Sequence, residues 1–127
     1  MTERDGSAEQ ADGWRLETKL VQGALDRSHH GETSEALYLT SGFVYDRAGD
    51  AEDRFKDRAP GFMYSRYGNP TTATFEARLA AIEGAEACCA TSSGMAAVNA
   101  AMMCRLRAGD RVVAARALFG SCRYIIG

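Results

Sequence analysis

Residues 87–115 read ACCATSSGMAAVNAAMMCRLRAGDRVVAA. The run divides at its turn residues. Ala87 to Thr91 is short, small and apolar, and Ser92-Ser93-Gly94 follows it, which predicts a strand running into a turn. Met95 to Arg107 is dense in alanine and methionine, both good helix formers. Ala108-Gly109-Asp110 is a second turn, and Arg111 to Ala115 predicts a second buried strand. Strand, glycine turn, helix, glycine-aspartate turn and strand make a βαβ unit with a right-handed crossover. Alanine suits its helix because a small side chain lets the helix lie close on a sheet. One such unit cannot cover both faces of a parallel sheet. The last third of the chain therefore reads as the opening of a larger α/β domain.

Upstream, Phe62 to Tyr67 is aromatic and extended in pattern, and Gly68-Asn69-Pro70 is a turn in which Pro70 keeps Asn69 extended. Thr71 or Thr72 can cap a helix running through Glu83, with Phe75, Leu79 and Ile82 on one face and Gly84 as its stop. Nearer the start, Leu20, Val21, Ala24 and Leu25 give residues 17–27 the spacing of a short amphipathic helix. Residues 34–46 read as extended, residues 50–57 as a short charged helix, and Ala59-Pro60-Gly61 as a breaker. Residues 1–16 read as a disordered lead, residues 17–61 as an N-terminal arm, and residues 62–127 as the start of the α/β domain.

The bulk numbers fit a soluble domain. The chain has 127 residues, 46% hydrophobic and 25% charged, with a net charge of −2. That length suffices for a small core, and that charge does not point to nucleic acid or an anionic membrane. No run approaches the roughly 18 apolar residues of a membrane span. Met1 to Gly13 has neither the basic flank nor the apolar stretch of a signal or transit peptide, so the expected compartment is the cytoplasm. Cys88, Cys89, Cys104 and Cys122 follow no zinc or redox spacing and read as reduced, buried thiols. His29-His30 lies in a polar stretch and reads as a solvated loop, with no metal site expected.

Two segments carry chemistry. Where a strand ends and a helix begins, the helix offers free backbone N–H groups and a partial positive charge. Gly94 removes the side chain that would block a close approach there, and Ser92 and Ser93 add hydroxyls. The combination suits a dianionic phosphate, although a plain capped helix has the same composition. G-x-x-x-x-G-K-[ST] is absent, so it is not a nucleotide P-loop. On an extended segment, residues two apart face one way. Tyr64 and Arg66 would then aim a phenol and a guanidinium at one spot, and the guanidinium fork matches phosphate oxygens.

With both segments in view, the chain resembles the Cys/Met metabolism (transsulfuration) enzymes that depend on pyridoxal 5'-phosphate (PLP). The likeness rests on Tyr64-Ser65-Arg66-Tyr67-Gly68-Asn69-Pro70-Thr71, on Leu79-Ala80-Ala81-Ile82-Glu83-Gly84-Ala85, on Ser93-Gly94-Met95-Ala96-Ala97 and on Ala108-Gly109-Asp110, in that order. It runs from about Glu17 to the last residue. It implies an α/β fold, the N-terminal part of the PLP-dependent transferase (aspartate-aminotransferase-like, fold type I) fold, with an incomplete sheet.

The resemblance also implies roles. Gly94 and Met95 match positions whose amides hold the cofactor phosphate, with Ser93 beside them. Tyr64 and Arg66 match a pair that reaches the phosphate of the neighbouring subunit. The site would thus be shared across a dimer, two of which usually make a tetramer. Phe119 falls where the family sets an aromatic ring, most often Tyr, against the pyridine; Phe can stack but has no hydroxyl. Ala115 to Cys122 points to those members that exchange the succinyl group of an acylated homoserine for sulfide, giving homocysteine. Siblings that use an acetyl ester, form cystathionine or eliminate at Cγ share the same motifs. PLP chemistry needs a lysine for the Schiff base and an acid for the pyridinium nitrogen. Lys19 and Lys56 lie in no matching motif, so no catalytic residue is assigned. The expectation is a fragment, inactive alone, whose reactive lysine lies beyond Gly127. A non-catalytic chain that pairs with an intact subunit is the rival reading.

Overall fold

The computed structural model describes residues 13–126, which fall into two compact units divided between Cys88 and Cys89. Most of the expected disordered lead, residues 1–12, lies outside the described residues.

Among the described residues the first unit holds three helices: α1 (Leu16–Gln22), α2 (Ala48–Phe55) and α3 (Pro70–Glu83). α1 stops five residues before the end of the expected helix. Gly23 ends it, and a Cβ there would lie 2.5 Å from the Lys19 carbonyl oxygen. Ala24 then takes a positive φ of 55°. α2 follows Arg47, its N-cap, whose amide donates to Asp50 Oδ2 at 3.1 Å, and lies two residues ahead of its expected place. Residues 34–46, expected to be extended, form neither helix nor named strand. They pair with the segment after Pro60 through the isolated antiparallel bridge Gly42–Tyr64.

α3 is the longest helix of the unit, and its first turn differs from the sequence reading. Asn69, not a threonine, is the cap: its Oδ1 accepts from the Thr71 amide at 2.9 Å, and Pro70 occupies the first helical position. Both residue types favour those positions, Pro because an amide there has no intrahelical partner. Gly84 ends the helix at φ 63°, the left-handed geometry that glycine adopts freely. Ala80 is buried, whereas Phe75 of the expected apolar face is exposed.

α3 packs against α1, and one ionic clamp serves this packing. The Arg78 guanidinium meets Glu35 through two bonds, Nη1–Oε1 at 3.2 Å and Nη2–Oε2 at 3.3 Å, and its Nε donates to the Gly23 carbonyl at 3.1 Å. The hydrogen bond from Arg78 holds the Glu35 carboxyl below the usual carboxylate range.

The second unit holds α4 (Gly94–Met103) and α5 (Gly120–Ile126), which touch one another. α4 ends four residues before Arg107. α5 was not foreseen as a helix of this chain. The two expected strands are corrected: residues 87–91 and 111–115 are not helical, but among the described residues neither joins a sheet. Parallel strands persist when covered on both faces, and here Val113 is 101% exposed. The expected burial of the thiols fails for the same reason. All four are free, with Cys89 and Cys104 exposed and Cys88 and Cys122 half-buried. Among the described residues no helix is long and apolar enough to cross a membrane, and no cluster of His, Cys, Asp or Glu could hold a metal ion.

Candidate functional site

In the first unit, the segment bearing Tyr64 and Arg66 is held from three sides. The Phe43 amide donates to the Met63 carbonyl at 3.3 Å, and the Ser65 amide to the Ser41 carbonyl at 2.9 Å. The Ser65 hydroxyl donates to the Thr40 carbonyl. Asn69 Nδ2 reaches the Tyr38 carbonyl at 2.9 Å and Ser65 Oγ at 3.0 Å, and the Tyr38 amide donates to Thr71 Oγ1 at 2.9 Å. Asn69 is buried, so satisfying its amide within this network is what makes its position stable.

The backbone does not stay extended through Tyr67, as the alternation argument required. It turns: the amides of Tyr67 and Gly68 both donate to the Tyr64 carbonyl, at 2.8 and 3.2 Å. The turn still brings Tyr64 and Arg66 together. The Arg66 Cζ lies 5.5 Å from the Tyr64 ring centroid and 5.2 Å from that of Tyr67, and the two rings meet edge to face at 6.4 Å. Two phenol rings therefore seat the guanidinium by cation–π attraction. Arg66 is exposed and has no carboxylate partner among the described residues. Tyr67 was absent from the sequence-derived site. Its signal was the Tyr-x-x-Tyr spacing about Arg66, which only a turn converts into a contact.

In the second unit, Ser93 is the N-cap of α4, and its Oγ accepts from the Ala96 amide at 3.1 Å. The Ser93 carbonyl accepts from Thr91 Oγ1 at 2.8 Å and from the Ala97 amide at 3.0 Å. Capping thus satisfies the third helical amide and leaves the first two, Gly94 and Met95, without an intrahelical partner. These are the two amides that the motif singles out. A Cβ on Gly94 would meet nothing within 4 Å, so an anion can approach closely. Ser93 Oγ, although used as an acceptor, keeps its proton to donate. Phe119 is exposed just before α5, and its carbonyl accepts from the Cys122 amide at 2.9 Å.

The donor set fits a phosphate ester: two helix N-terminal amides, a hydroxyl, and separately an arginine flanked by phenols. The lysines do not resemble a cofactor-bonding amine. The Lys56 ammonium pairs with Glu52 on the surface, and Lys19 lies within α1.

Residues 17–127 match the description "Cys/Met metabolism PLP-dependent enzyme". The chain belongs to that family. It is 55% identical over 111 residues to the O-succinylhomoserine sulfhydrylase of Mycobacterium tuberculosis (strain ATCC 25618 / H37Rv), covering 87% of this chain and 27% of that protein. It is 46% identical over 110 residues to the O-succinylhomoserine sulfhydrylase of Pseudomonas aeruginosa, with the same coverage. An L-methionine gamma-lyase of Fusobacterium nucleatum subsp. polymorphum is 38% identical over 111 residues, 87% of this chain and 28% of that protein. Among solved structures, an O-acetylhomoserine (thiol)-lyase from Campylobacter jejuni aligns with a TM-score of 0.82 at 28% identity, over 89% of this chain and 28% of its own. That structure carries N'-pyridoxyl-lysine-5'-monophosphate. The likeness assigns this chain to the same α/β fold; among the described residues its strand pairing is the isolated bridge Gly42–Tyr64. The cofactor of the family is PLP. The chain spans about a quarter of the length of the curated relatives it matches, 27% for both sulfhydrylases.

Proposed function

We propose that this chain supplies the phosphate-anchoring part of a PLP-dependent O-succinylhomoserine sulfhydrylase, which replaces succinate by sulfide to give homocysteine for methionine biosynthesis in the cytoplasm. The observation that carries the cofactor reading is the capping of α4: Ser93 takes the Ala96 amide and leaves those of Gly94 and Met95 for a phosphate. The substrate reading is supported by the higher identity to the two sulfhydrylases than to the γ-lyase.

PLP, when bound, supplies an electron sink for the substrate's carbon skeleton. The residues of this chain bind and orient. Gly94 and Met95 hold the phosphate through their amides, with the Ser93 hydroxyl beside them. Tyr64 and Arg66 reach the phosphate of a neighbouring subunit, so that the working unit is a homodimer, two of which form a tetramer. Phe119 stacks on the pyridine ring and, lacking a hydroxyl, moves no proton. The lysine that bonds the cofactor is neither Lys19 nor Lys56, so these 127 residues alone turn nothing over.

The test is an assay of the full-length enzyme with O-succinylhomoserine and O-acetylhomoserine, each with sulfide and with cysteine. Homocysteine formed fastest from the succinyl ester and sulfide is the expected result. Preference for cysteine, for the acetyl ester, or for elimination without added thiol would move the assignment to a sibling activity.

A further inference from the structure

Arg54 stands in the last turn of α2 with an unusual set of contacts. Its Nη1 donates to the Phe62 carbonyl at 3.2 Å, and its Cζ lies 5.2 Å from the centroid of the Tyr45 ring. A Cβ on Gly61 would stand 2.8 Å from its Nε and 2.9 Å from its Cζ. The guanidinium thus lies close to the Gly61 backbone, and a side chain at 61 would have to push it aside. Gly61 also holds φ at 138°, a conformation that a side chain strains. Among the described residues Arg54 has no carboxylate partner. Its guanidinium is therefore not occupied by a surface ion pair and serves the backbone of the segment that follows.

That segment leads to the candidate site. The Phe62 ring packs on Phe43 at 5.5 Å, and its Cδ1 would be 3.4 Å from a Cβ on Gly68. Tyr64 follows two residues later, and the turn that presents Arg66 hangs from the Tyr64 carbonyl. Arg54 and Asn69 accordingly fix the two ends of one short segment, Arg54 before the turn and Asn69 after it.

We propose that Arg54 is a positioning residue, which holds the Phe62 carbonyl so that the turn delivers Arg66 to the cofactor phosphate, without itself touching the cofactor. This rests on the reading of Arg66 as a phosphate ligand. Lysine does not replace it, because a single ammonium lacks the planar fork that meets the Tyr45 ring while donating to the Phe62 carbonyl.

The test is a double-mutant cycle in the full-length enzyme, reading equilibrium binding of PLP and of pyridoxal, which lacks the phosphate. Arg54→Met weakens PLP roughly tenfold, leaves pyridoxal unchanged, and adds nothing in an Arg66→Ala background, since contacting or coupled residues fail to add. Arg54→Lys behaves as Arg54→Met does. Additive losses in the double variant, or equal weakening of pyridoxal, overturn the proposal and leave Arg54 a structural residue. Unchanged PLP affinity in Arg66→Ala overturns the phosphate reading itself, a separate outcome. Should Arg54→Met fail to fold, Tyr45→Leu removes the ring beside the guanidinium while keeping its charge. It gives the same binding pattern with faster hydrogen exchange at the Ser65 amide, and unchanged exchange contradicts the proposal.

Discussion

Asn69 and Ser65 are joined by a 3.0 Å hydrogen bond from Nδ2 to Oγ, and through it the start of α3 is tied to the turn that bears Arg66. The same amide group caps the helix and holds the Tyr38 carbonyl. One buried side chain thus sets a helix boundary and a binding segment together.

Asn69→Ala removes three hydrogen bonds at once, one of them the cap. The expected loss is about 2 kcal/mol of unfolding free energy, read as a lower urea midpoint of the full-length enzyme at unchanged slope. Asn69→Asp keeps the cap but not the amide donors, and should fall between Ala and wild type.

Ser93→Ala separates capping from phosphate contact. The substitution leaves the Ala96 amide unsatisfied and costs about 1 kcal/mol. It should weaken PLP more than it weakens pyridoxal, because only the phosphate meets the end of α4. Equal weakening of both would restrict Ser93 to a purely structural role.

The ends of α3 were legible because glycine and proline act locally. Gly84 stops the helix at a left-handed residue, and Pro70 marks its start. The cap itself was misplaced by two or three residues, since three hydrogen-bonding side chains, Asn69, Thr71 and Thr72, stand on either side of Pro70 and only the fold chooses among them. The pairing of Tyr64 with Arg66 was legible, but its cause was not. Strand alternation was expected, and a turn supplies the contact and adds Tyr67. Residues 87–91 and 111–115 carry strand composition, yet pairing and cover are tertiary properties that composition does not encode. α5 escaped notice because Gly120 to Ile126 mixes a glycine, a cysteine and two isoleucines, none of them a strong helix former.

The lysines give a chemical prediction. The 127-residue chain mixed with PLP and reduced with borohydride should show no stoichiometric adduct at one site. Lys56 is exposed and paired with Glu52, and Lys19 lies in a surface helix. Peptide mapping checks this, and a single stoichiometric adduct at either lysine, with turnover, would contradict it.

Glu32 provides a pH test independent of the cofactor. The Ser28 amide and hydroxyl each donate to its carboxylate at 2.7 Å, and these bonds lower its pKa to about 2. A depressed pKa stabilises the folded loop above the ordinary carboxylate value near 4.5, and the contribution is lost as pH falls toward 2. In Ser28→Ala the Glu32 pKa should rise toward the ordinary value because the hydroxyl donor is gone. Carbon-detected NMR titration of Glu32 reads this directly.

The central claim is that Arg66, between its two tyrosine rings, is a phosphate ligand of PLP. The most direct measurement is the ratio of PLP to pyridoxal affinity in the full-length enzyme, compared between wild type and Arg66→Ala. A charge-assisted bond to phosphate contributes about 1.5–3 kcal/mol, so the ratio should fall by roughly 10- to 100-fold in the variant, with pyridoxal affinity unchanged. A ratio unaltered by Arg66→Ala would contradict the account.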